Sequence, residues 1–222
     1  MIKLQRTTER VNSNGGQVVV GALLDRIDFG ESANAVPVDG RTRREVAHSD
    51  CLRTYVALLS EGRTAFEEIE QYRGDDLFRE ALSLGAVPSA PTLRQRFVGA
   101  DGALDDVVTG DNRRLLADCA VSGLETASGT FVPLDLDVSC MDNSRSRKEG
   151  VGRTYRGYDG FAPMFAYIGT EGYMLLNELR PGTQNCQNGT PDFLRECLDT
   201  ADAVIRKPLL VRMDAGNDSV EN

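Results

Sequence analysis

The sequence predicts an α/β protein, in which an all-helical N-terminal region precedes a mixed β-sheet with flanking helices. Three observations support this class. Apolar residues recur with helical spacing through the first half, the spacing changes to alternation after about residue 129, and one amphipathic helical pattern separates two later strand patterns. The change of period places a boundary that divides the chain into residues 1–128 and 129–222.

Apolar stripes predict the first helices. The stripes are Val20, Leu23, Leu24 and Ile27; Leu52, Tyr55, Val56 and Leu59; and Leu77, Phe78, Ala81 and Leu82. Ser49 or Asp50 would cap the second stripe at its N-terminus. Thr64 and Glu67 have the spacing of a capping box. These signals predict at least three helices before residue 83.

A short helix and a loop are expected before the boundary. After residues 88–92, Leu93 and Phe97 would face the core, and Arg94 and Arg96 would face outward, where a nucleic-acid groove is one destination and solvent the other. The glycine-containing segment 99–110 predicts a loop. A further helix is expected near residues 111–121.

Strict alternation marks the first strand of the sheet. In FVPLDLDV, residues 131–138, the apolar side chains share one face, and Asp135 and Asp137 share the other. FAPMFAYIG and EGYMLLNEL predict two further strands, joined by a tight turn at residues 169–172. Together these patterns indicate a strand followed by a hairpin.

A helix and a last strand complete the predicted order. Thr190 would cap the helix and Pro191 would occupy its first turn. The strand PLLVRMD, predicted to be buried, ends at Asp214. A right-handed crossover returns this strand parallel to the first one, so Asp137 and Asp214 would lie side by side at the same strand ends. Adjacent carboxylates there could hold Mg²⁺ against phosphate oxygens.

Composition limits the other chemistry available to the chain. His48 is the only histidine, and the five cysteines are widely spaced without a C-x-x-C pair. These counts argue against a Ser-His-Asp triad, a histidine-rich metal centre, a zinc site and a disulfide framework. If the chain is catalytic, its carboxylates must do the chemistry.

Residues 143–158, here called the basic block, contrast with an acidic chain. The formal net charge is −9, whereas the basic block has a local charge of +4. The candidate DNA-contacting residues in it are Arg145, Arg147, Lys148, Arg153, Tyr155, Arg156 and Tyr158. Cations interleaved with tyrosines suit phosphate contacts and base stacking. A solvated loop is the other reading of such a segment.

The N-terminus and the hydropathy of the chain bear on its location. Residues 1–16 are polar and contain no apolar signal-peptide core, and no apolar run reaches membrane-spanning length. We therefore expect a cytoplasmic protein without a membrane partner.

Several segments of the chain stand in a characteristic order and spacing. In the first half they are GGQVVVGALLDRI, HSDCLRTYVALLSEG, AFEEIEQYRGDDLF and PSAPTLRQRF. In the second half they are Asp137 with x-Ser, KEGVGRTYRGYDGFAP, NELRPGTQ with GTPDFLRE, and LVRMDAGND. Together they resemble a bacterial insertion-sequence transposase family of the DDE, RNase H-like type. The similarity therefore covers nearly the whole chain.

This resemblance implies a DNA transposition enzyme in which three acids hold two Mg²⁺ or Mn²⁺ ions. The first two acids fall on Asp137 and Asp214, and the family's third, a glutamate, lies beyond the end of the printed sequence. We therefore expect an incomplete RNase H-like domain, truncated before the third acid, with very low or no activity. Ala215 and Asn185 stand where the family leads us to expect serine and histidine, which also argues against activity.

Alternatives remain for both acids. Asp135 and Asp137 face the same way, so Asp135 is an alternative first ligand or an outer neighbour of the metal, although Asp137 better fits the Asp-x-Ser pattern. Asp218 and Glu221 compete with Asp214 for the second position.

Three functional hypotheses follow from these patterns. The first is a transposase fragment whose partner is the terminal inverted-repeat DNA of a mobile element, bound at the bacterial nucleoid. The second is a non-catalytic DNA-end-binding or transposase-inhibiting fragment, and the third is another Mg²⁺-dependent phosphoesterase. We also expect the last strand to be an exposed edge that favours self-association.

Overall fold

A computed structural model of the chain describes residues 14–37, 46–100 and 102–217. The chain forms two compact units, Met1–Asp111 and Asn112–Asn222, and the division falls within helix α5 (Asp105–Ala117). The sequence placed its boundary later, where the hydrophobic period changes. Each unit contains its own cluster of buried apolar side chains.

The first unit is helical, as predicted. Its other helices are α1 (Gln17–Arg26), α2 (His48–Ser60), α3 (Asp76–Ala81) and α4 (Ala90–Ala100), with 3₁₀ turns at Glu31–Ala35 and Phe66–Tyr72. Apolar side chains from these segments form its core, among them Cys51, Leu58, Ile69, Phe78, Leu82 and Leu93. Leu23 and Leu59, placed on apolar stripes by their spacing, are exposed.

Both predicted caps in this unit are wrong by one to three positions. Helix α2 is preceded by Ala47 as its N-cap, so Ser49 and Asp50 lie inside the first turn. The Asp50 carboxylate is used elsewhere, since it accepts hydrogen bonds from the amides of Gly85 and Ala86 at 3.1 and 3.0 Å. Asp50 therefore binds backbone amides distant in sequence instead of capping its own helix.

The predicted capping box forms only in part, and one residue further along the chain. Glu68, not Glu67, returns to the backbone, accepting from the Ala65 amide at 3.1 Å. Glu67 forms an ion pair with Arg94 instead. Only this half of a capping box forms, because Ala65, the N-cap in place of Thr64, has no side-chain oxygen to accept from the Glu68 amide.

Two expectations about α4 and α5 are also corrected. Arg96 does not face solvent, because its guanidinium bonds to His48 Nδ1 at 3.0 Å and to the Val46 carbonyl at 3.1 Å. Helix α5 begins at Asp105, within the predicted loop. Acidic residues in its first turn favour that start, and Gly110 is tolerated inside the helix.

The second unit contains two sheets. Their strands are β1 (Leu124–Thr126), β2 (Gly129–Val138), β3 (Met141–Asp142), β4 (Gly152–Arg153), β5 (Asp159–Phe161), β6 (Met164–Ile168), β7 (Tyr173–Glu178) and β8 (Leu209–Met213). In the main sheet β1, β2, β6 and β7 are antiparallel neighbours, and β8 pairs with β2 in parallel. The predicted strand, hairpin and parallel return are confirmed.

Helix α6 (Thr190–Val204) makes the connection from β7 to β8 and covers one face of the main sheet. Its Phe193, Leu194, Cys197 and Ala201 pack against apolar side chains of β2, β6 and β7. Gly189, with a φ of 77°, is the N-cap, whereas the predicted cap, Thr190, is the first helical residue. The Thr190 hydroxyl donates to the Cys186 carbonyl.

The strand β8 is more exposed than its apolar sequence predicts. Only Leu209 and Met213 are partly buried, while Leu210 and Val211 are exposed. Among the described residues β8 pairs with β2 alone, so it is an edge strand. This agrees with the expected exposed edge and corrects the expectation of burial.

A small three-stranded sheet, β3-β5-β4, was not predicted. Two residues separate the end of β2 from the start of β3, and two residues separate the end of β5 from the start of β6. Because Val138 of β2 pairs with Met164 of β6, both continuations leave the main sheet at one end. The small sheet therefore extends from the end of β2 that carries Asp137.

Candidate active site

The register of two parallel strands brings the candidate acids together. The last paired residues of β2 and β8 are Leu136 and Met213, and the next residue on each strand is Asp137 and Asp214 respectively. Neighbouring strands lie about 4.8 Å apart. Both aspartates are exposed, at the carboxyl ends of their strands. Two carboxylates are thus side by side at this edge.

The same pairing separates the roles of Asp135 and Asp137. Asp135 is opposite Arg212 of β8, whose Nε and Nη2 donate to its two carboxylate oxygens. This hydrogen bond to Asp135 raises the pKa of Arg212 above its usual value. Asp137 makes no hydrogen bond or ion pair with any described residue, so its oxygens are available to a ligand.

A short turn holds the second aspartate in place. The buried side chain of Asn217 donates from Nδ2 to Asp214 Oδ1 at 2.7 Å, and its amide donates to the Asp214 carbonyl at 3.1 Å. Cys186 Sγ lies 3.0 Å from the Gly216 carbonyl, which brings the loop before α6 to the same turn. Asp218 and Glu221 lie outside the described residues.

Aromatic side chains adjoin the acids on the sheet face that α6 does not cover. Phe165 of β6 pairs with Asp137, and Tyr167 pairs with Asp135. The two rings are stacked, with centroids 6.3 Å apart. The acids therefore have an apolar, planar neighbour within the same sheet.

The basic block is partly folded, with β4 and β5 forming a hairpin. Thr154 and Gly157 close its turn through a 3.0 Å backbone hydrogen bond, which presents Tyr155 and Arg156 at the tip. Tyr155 is 69% exposed, and the Arg156 guanidinium lies 5.4 Å from the centre of its ring. This is an exposed aromatic side chain with a cation stacked on it.

The remaining members of the basic block are placed differently. Arg145, Arg147 and Lys148 are exposed, and their side chains form no hydrogen bond or ion pair within the described part of the chain. Arg153 lies 3.9 Å from Asp159, its partner across the hairpin. Tyr158 is half-buried, and its hydroxyl donates to the Cys140 carbonyl at 3.0 Å.

Sequence reasoning missed three residues around this end of the sheet. Arg212 and Asn217 were detectable, because each lies within three residues of Asp214 and carries a side chain that can bind a carboxylate. Arg180 was not singled out. It is buried, and it lies in NELRPGTQ, a segment that the sequence marked only through the family resemblance and as the end of a strand.

The donor set fits a hard divalent cation. Mg²⁺ is bound in many proteins through one or two carboxylates, water and substrate phosphate. Asp137 and Asp214 could supply the two carboxylates. Among the described residues, no group of three or more His, Cys, Asp or Glu side chains is arranged to hold a metal.

The comparison with known protein families decides the identity of the chain. The family described as transposase DDE domain group 1 matches residues 1–221. The chain belongs to this DDE transposase family. The membership confirms the transposase resemblance, and the helices and sheets of the structure confirm the α/β class.

More distant comparisons add little to the DDE transposase assignment. One solved structure, a piggyBac transposase synaptic complex with hairpin DNA, matches with a TM-score of 0.39 and 13% identity. The match covers 98% of this chain and 40% of that protein, so the DDE transposase chain spans less than half of its length. No curated protein matches the chain. Among the described residues, no helix has the length and hydropathy needed to cross a membrane.

Proposed function

We propose that this protein is the metal- and DNA-binding part of a transposase, acting on the terminal inverted repeats of a mobile element in the bacterial nucleoid. Asp137 and Asp214 would hold a divalent cation, and the basic block would bind the DNA next to it. The observation that carries the proposal is the register of β2 and β8, which ends with these two acids side by side.

The chemistry follows from the residues and from the family. Bound Mg²⁺ or Mn²⁺ would lower the charge on a phosphodiester and activate a water or a 3′-hydroxyl for strand cleavage or transfer. The part of Asp137 and Asp214 is to bind and orient the cation. Asn217 keeps the carboxylate of Asp214 in place through its 2.7 Å hydrogen bond.

The exposed cations of the basic block supply positive charge that can contact DNA phosphates. Among the described residues the side chains of Arg147 and Lys148 form no hydrogen bond or ion pair, and Arg145 interacts with Asp142 only electrostatically. These cations can therefore meet phosphates without first breaking a hydrogen-bonded ion pair. The tip residue Tyr155 offers a ring face to an unpaired base. Tyr158, tied to Cys140 by its hydroxyl, would support the hairpin from within.

Calorimetry with Mn²⁺ tests the metal part of the proposal. We expect wild-type protein to bind Mn²⁺, and Asp137→Asn and Asp214→Asn each to weaken binding by roughly tenfold or more, because each removes one anionic ligand. Asp192→Asn, on the exposed surface of α6, is the matched control and should bind as the wild type does. Unchanged isotherms for both site variants would refute the metal site.

Titration of fluorescein-labelled duplex DNA at several salt concentrations tests the DNA part. In Arg145→Ala/Arg147→Ala we expect weaker binding and a slope of log K against log salt that falls by about 0.9 for each lost phosphate contact. Arg195→Ala, which removes an exposed arginine from α6, should leave the slope unchanged. Equal slopes for the two variants would exclude Arg145 and Arg147 from phosphate contact.

Incubation of labelled, repeat-containing DNA with Mg²⁺ or Mn²⁺, read on a denaturing gel for nicked strands, separates catalysis from binding alone. A protein that binds repeat-containing DNA but does not nick it in Mg²⁺ or Mn²⁺ would act as a non-catalytic DNA-end-binding protein, the second hypothesis from the sequence. Metal-dependent nicking that is lost in Asp137→Asn would support a transposase active site.

A further inference from the structure

An arginine–aspartate pair joins β2 and β8 close to the two acids. Arg212 of β8 is paired with Asp135 of β2. Its guanidinium donates through Nε and Nη2 to both carboxylate oxygens. This two-point geometry is specific, since a planar fork matches a carboxylate in one orientation. The pair thus fixes which residue of β8 lies opposite Asp135.

The position of the pair relates it to the acids. Arg212 precedes Asp214 by two residues, and Asp135 precedes Asp137 by two residues. Because side chains alternate along a strand, all four share one face of the sheet. A slip of β8 along β2 would move Asp214 away from Asp137 and would break the fork at the same time.

Burial constrains the register of β8 only weakly. Leu210 and Val211 are exposed, and among the described residues β8 pairs with β2 alone. Register is poorly specified where few side chains of a strand are buried. Leu209 and Met213 pack partly against the core and decide which face of β8 turns inward. A further contact would fix the position of the strand along β2.

We propose that Arg212 and Asp135 are positioning residues, whose fork fixes the register of β8 so that Asp214 lies beside Asp137. The inference rests on the proposed function of those two acids as metal ligands. The fork also occupies both oxygens of Asp135, which leaves Asp137 as the ligand on β2.

Mn²⁺ calorimetry separates positioning from a simple charge effect, because the two predict opposite signs. If the pair sets the register, Arg212→Gln weakens Mn²⁺ binding by roughly tenfold or more, as loss of a supporting residue commonly does. The double variant Asp135→Asn/Arg212→Gln then remains as weak as the single variants. If Arg212 acts only through its charge, Arg212→Gln tightens Mn²⁺ binding and the double variant binds like the wild type, and either result would overturn the proposal.

Two more variants sharpen the calorimetry. Arg212→Lys keeps the charge but loses the fork, so we expect affinity well below the wild type. Arg195→Gln on α6 removes an exposed, ion-paired arginine far along the chain from the acids and should leave Mn²⁺ affinity unchanged. Wild-type affinity in Arg212→Lys would contradict a role for the fork.

Hydrogen exchange gives a readout that does not depend on metal. In metal-free Arg212→Gln the amides of Leu209–Met213 should exchange at least severalfold faster, while those of Tyr173–Glu178 keep their wild-type rates. If the wild type binds no Mn²⁺, the proposed metal function fails, but exchange still decides on the fork. Unchanged protection of β8 in Arg212→Gln would refute the register role.

Discussion

At the scale of single residues, Arg180 makes the most extensive buried contacts that the sequence did not predict. Its side chain is 1% exposed, and Nη1 donates to the Cys186 carbonyl and to Thr190 Oγ1 at 3.2 and 3.1 Å. Nε donates to Glu178 at 2.6 Å, and the guanidinium lies 5.6 Å from the centre of the Phe193 ring. Arg180 therefore ties the end of β7 to the loop before α6.

Replacing Arg180 should destabilise the second unit. Arg180→Met keeps an apolar stem of similar reach but removes every donor, so partners such as the Cys186 carbonyl lose charged hydrogen bonds. We expect a loss of roughly 3 kcal/mol in the free energy of unfolding, measured by urea denaturation. Arg195→Met, at an exposed position, should change it by no more than about 0.5 kcal/mol. Equal effects of the two substitutions would contradict the assigned role.

The ion pair between Asp25 and Arg53 makes the first unit sensitive to acid. The hydrogen bond from buried Arg53 holds the pKa of Asp25 below its usual 3.8. The unfolded chain then binds the proton more readily than the folded one does. The pair therefore stabilises the fold above the unfolded pKa, and that contribution is lost as the pH falls through the folded pKa.

The substitution Asp25→Asn should reproduce this loss at neutral pH. We expect its melting temperature to lie below that of the wild type at about pH 7, with the difference shrinking between about pH 5 and pH 2 as the wild-type carboxyl is protonated. Calorimetric melting curves across this range provide the measurement. Asp192→Asn, which removes an exposed partner of Arg195, should parallel the wild type. A constant difference at all pH values would exclude the carboxyl as the cause.

Residue-level prediction worked where local pattern determines position. Asp137 and Asp214 could be placed side by side because alternation and a right-handed crossover fix the ends of parallel strands. Asp50 and Arg96 could not, because their partners lie far away in sequence, at Ala86 and His48. Contacts between residues that are distant in sequence produce no periodic pattern in that sequence.

At the scale of secondary structure, long periodic segments were predictable and short ones were not. The strand β2 and the helix α6 were recognised from their apolar faces, whereas β3 and β4 have two residues each and no measurable period. Their pairing depends on close backbone approach at glycines. The small sheet is therefore defined by tertiary contact more than by propensity.

Gly182 should be essential for the small sheet. A Cβ atom there would lie 2.2 Å from the Gly160 carbonyl oxygen and 2.3 Å from that of Gly152, and backbone atoms cannot easily move away. We expect Gly182→Ala to speed hydrogen exchange in β4 and β5 and to weaken DNA binding severalfold, because the hairpin that carries Tyr155 loses its support.

A matched glycine provides the control for Gly182. A Cβ at Gly110, inside α5, would meet no atom within 4 Å. Gly110→Ala should therefore be neutral or should stabilise the protein by up to about 1 kcal/mol, since alanine favours a helix interior. Wild-type exchange rates in β4 and β5 of Gly182→Ala would show that the backbone contact is not required.

At the scale of the whole molecule, each compact unit has its own buried core, and the candidate site lies within the second one. Burial raises the pKa of Cys51 to about 11 and that of Cys197 to about 12. One of these thiols belongs to each core, so their reactivity reports the opening of each unit separately. The transposase family match covers both units.

The edge strand β8 makes self-association the expected behaviour of the molecule. Its outer edge has no partner strand among the described residues, and its exposed Leu210 adds an apolar side chain beside it. Unpaired strand edges favour pairing between chains, and a lysine on the edge opposes it. We expect sedimentation velocity to show a concentration-dependent increase in mass for the wild type, and Leu210→Lys to reduce it at least severalfold. Leu179→Lys, which places the same charge at an exposed leucine after β7, should associate like the wild type. A wild-type protein that stays monomeric across the accessible concentrations would show that the edge of β8 is protected.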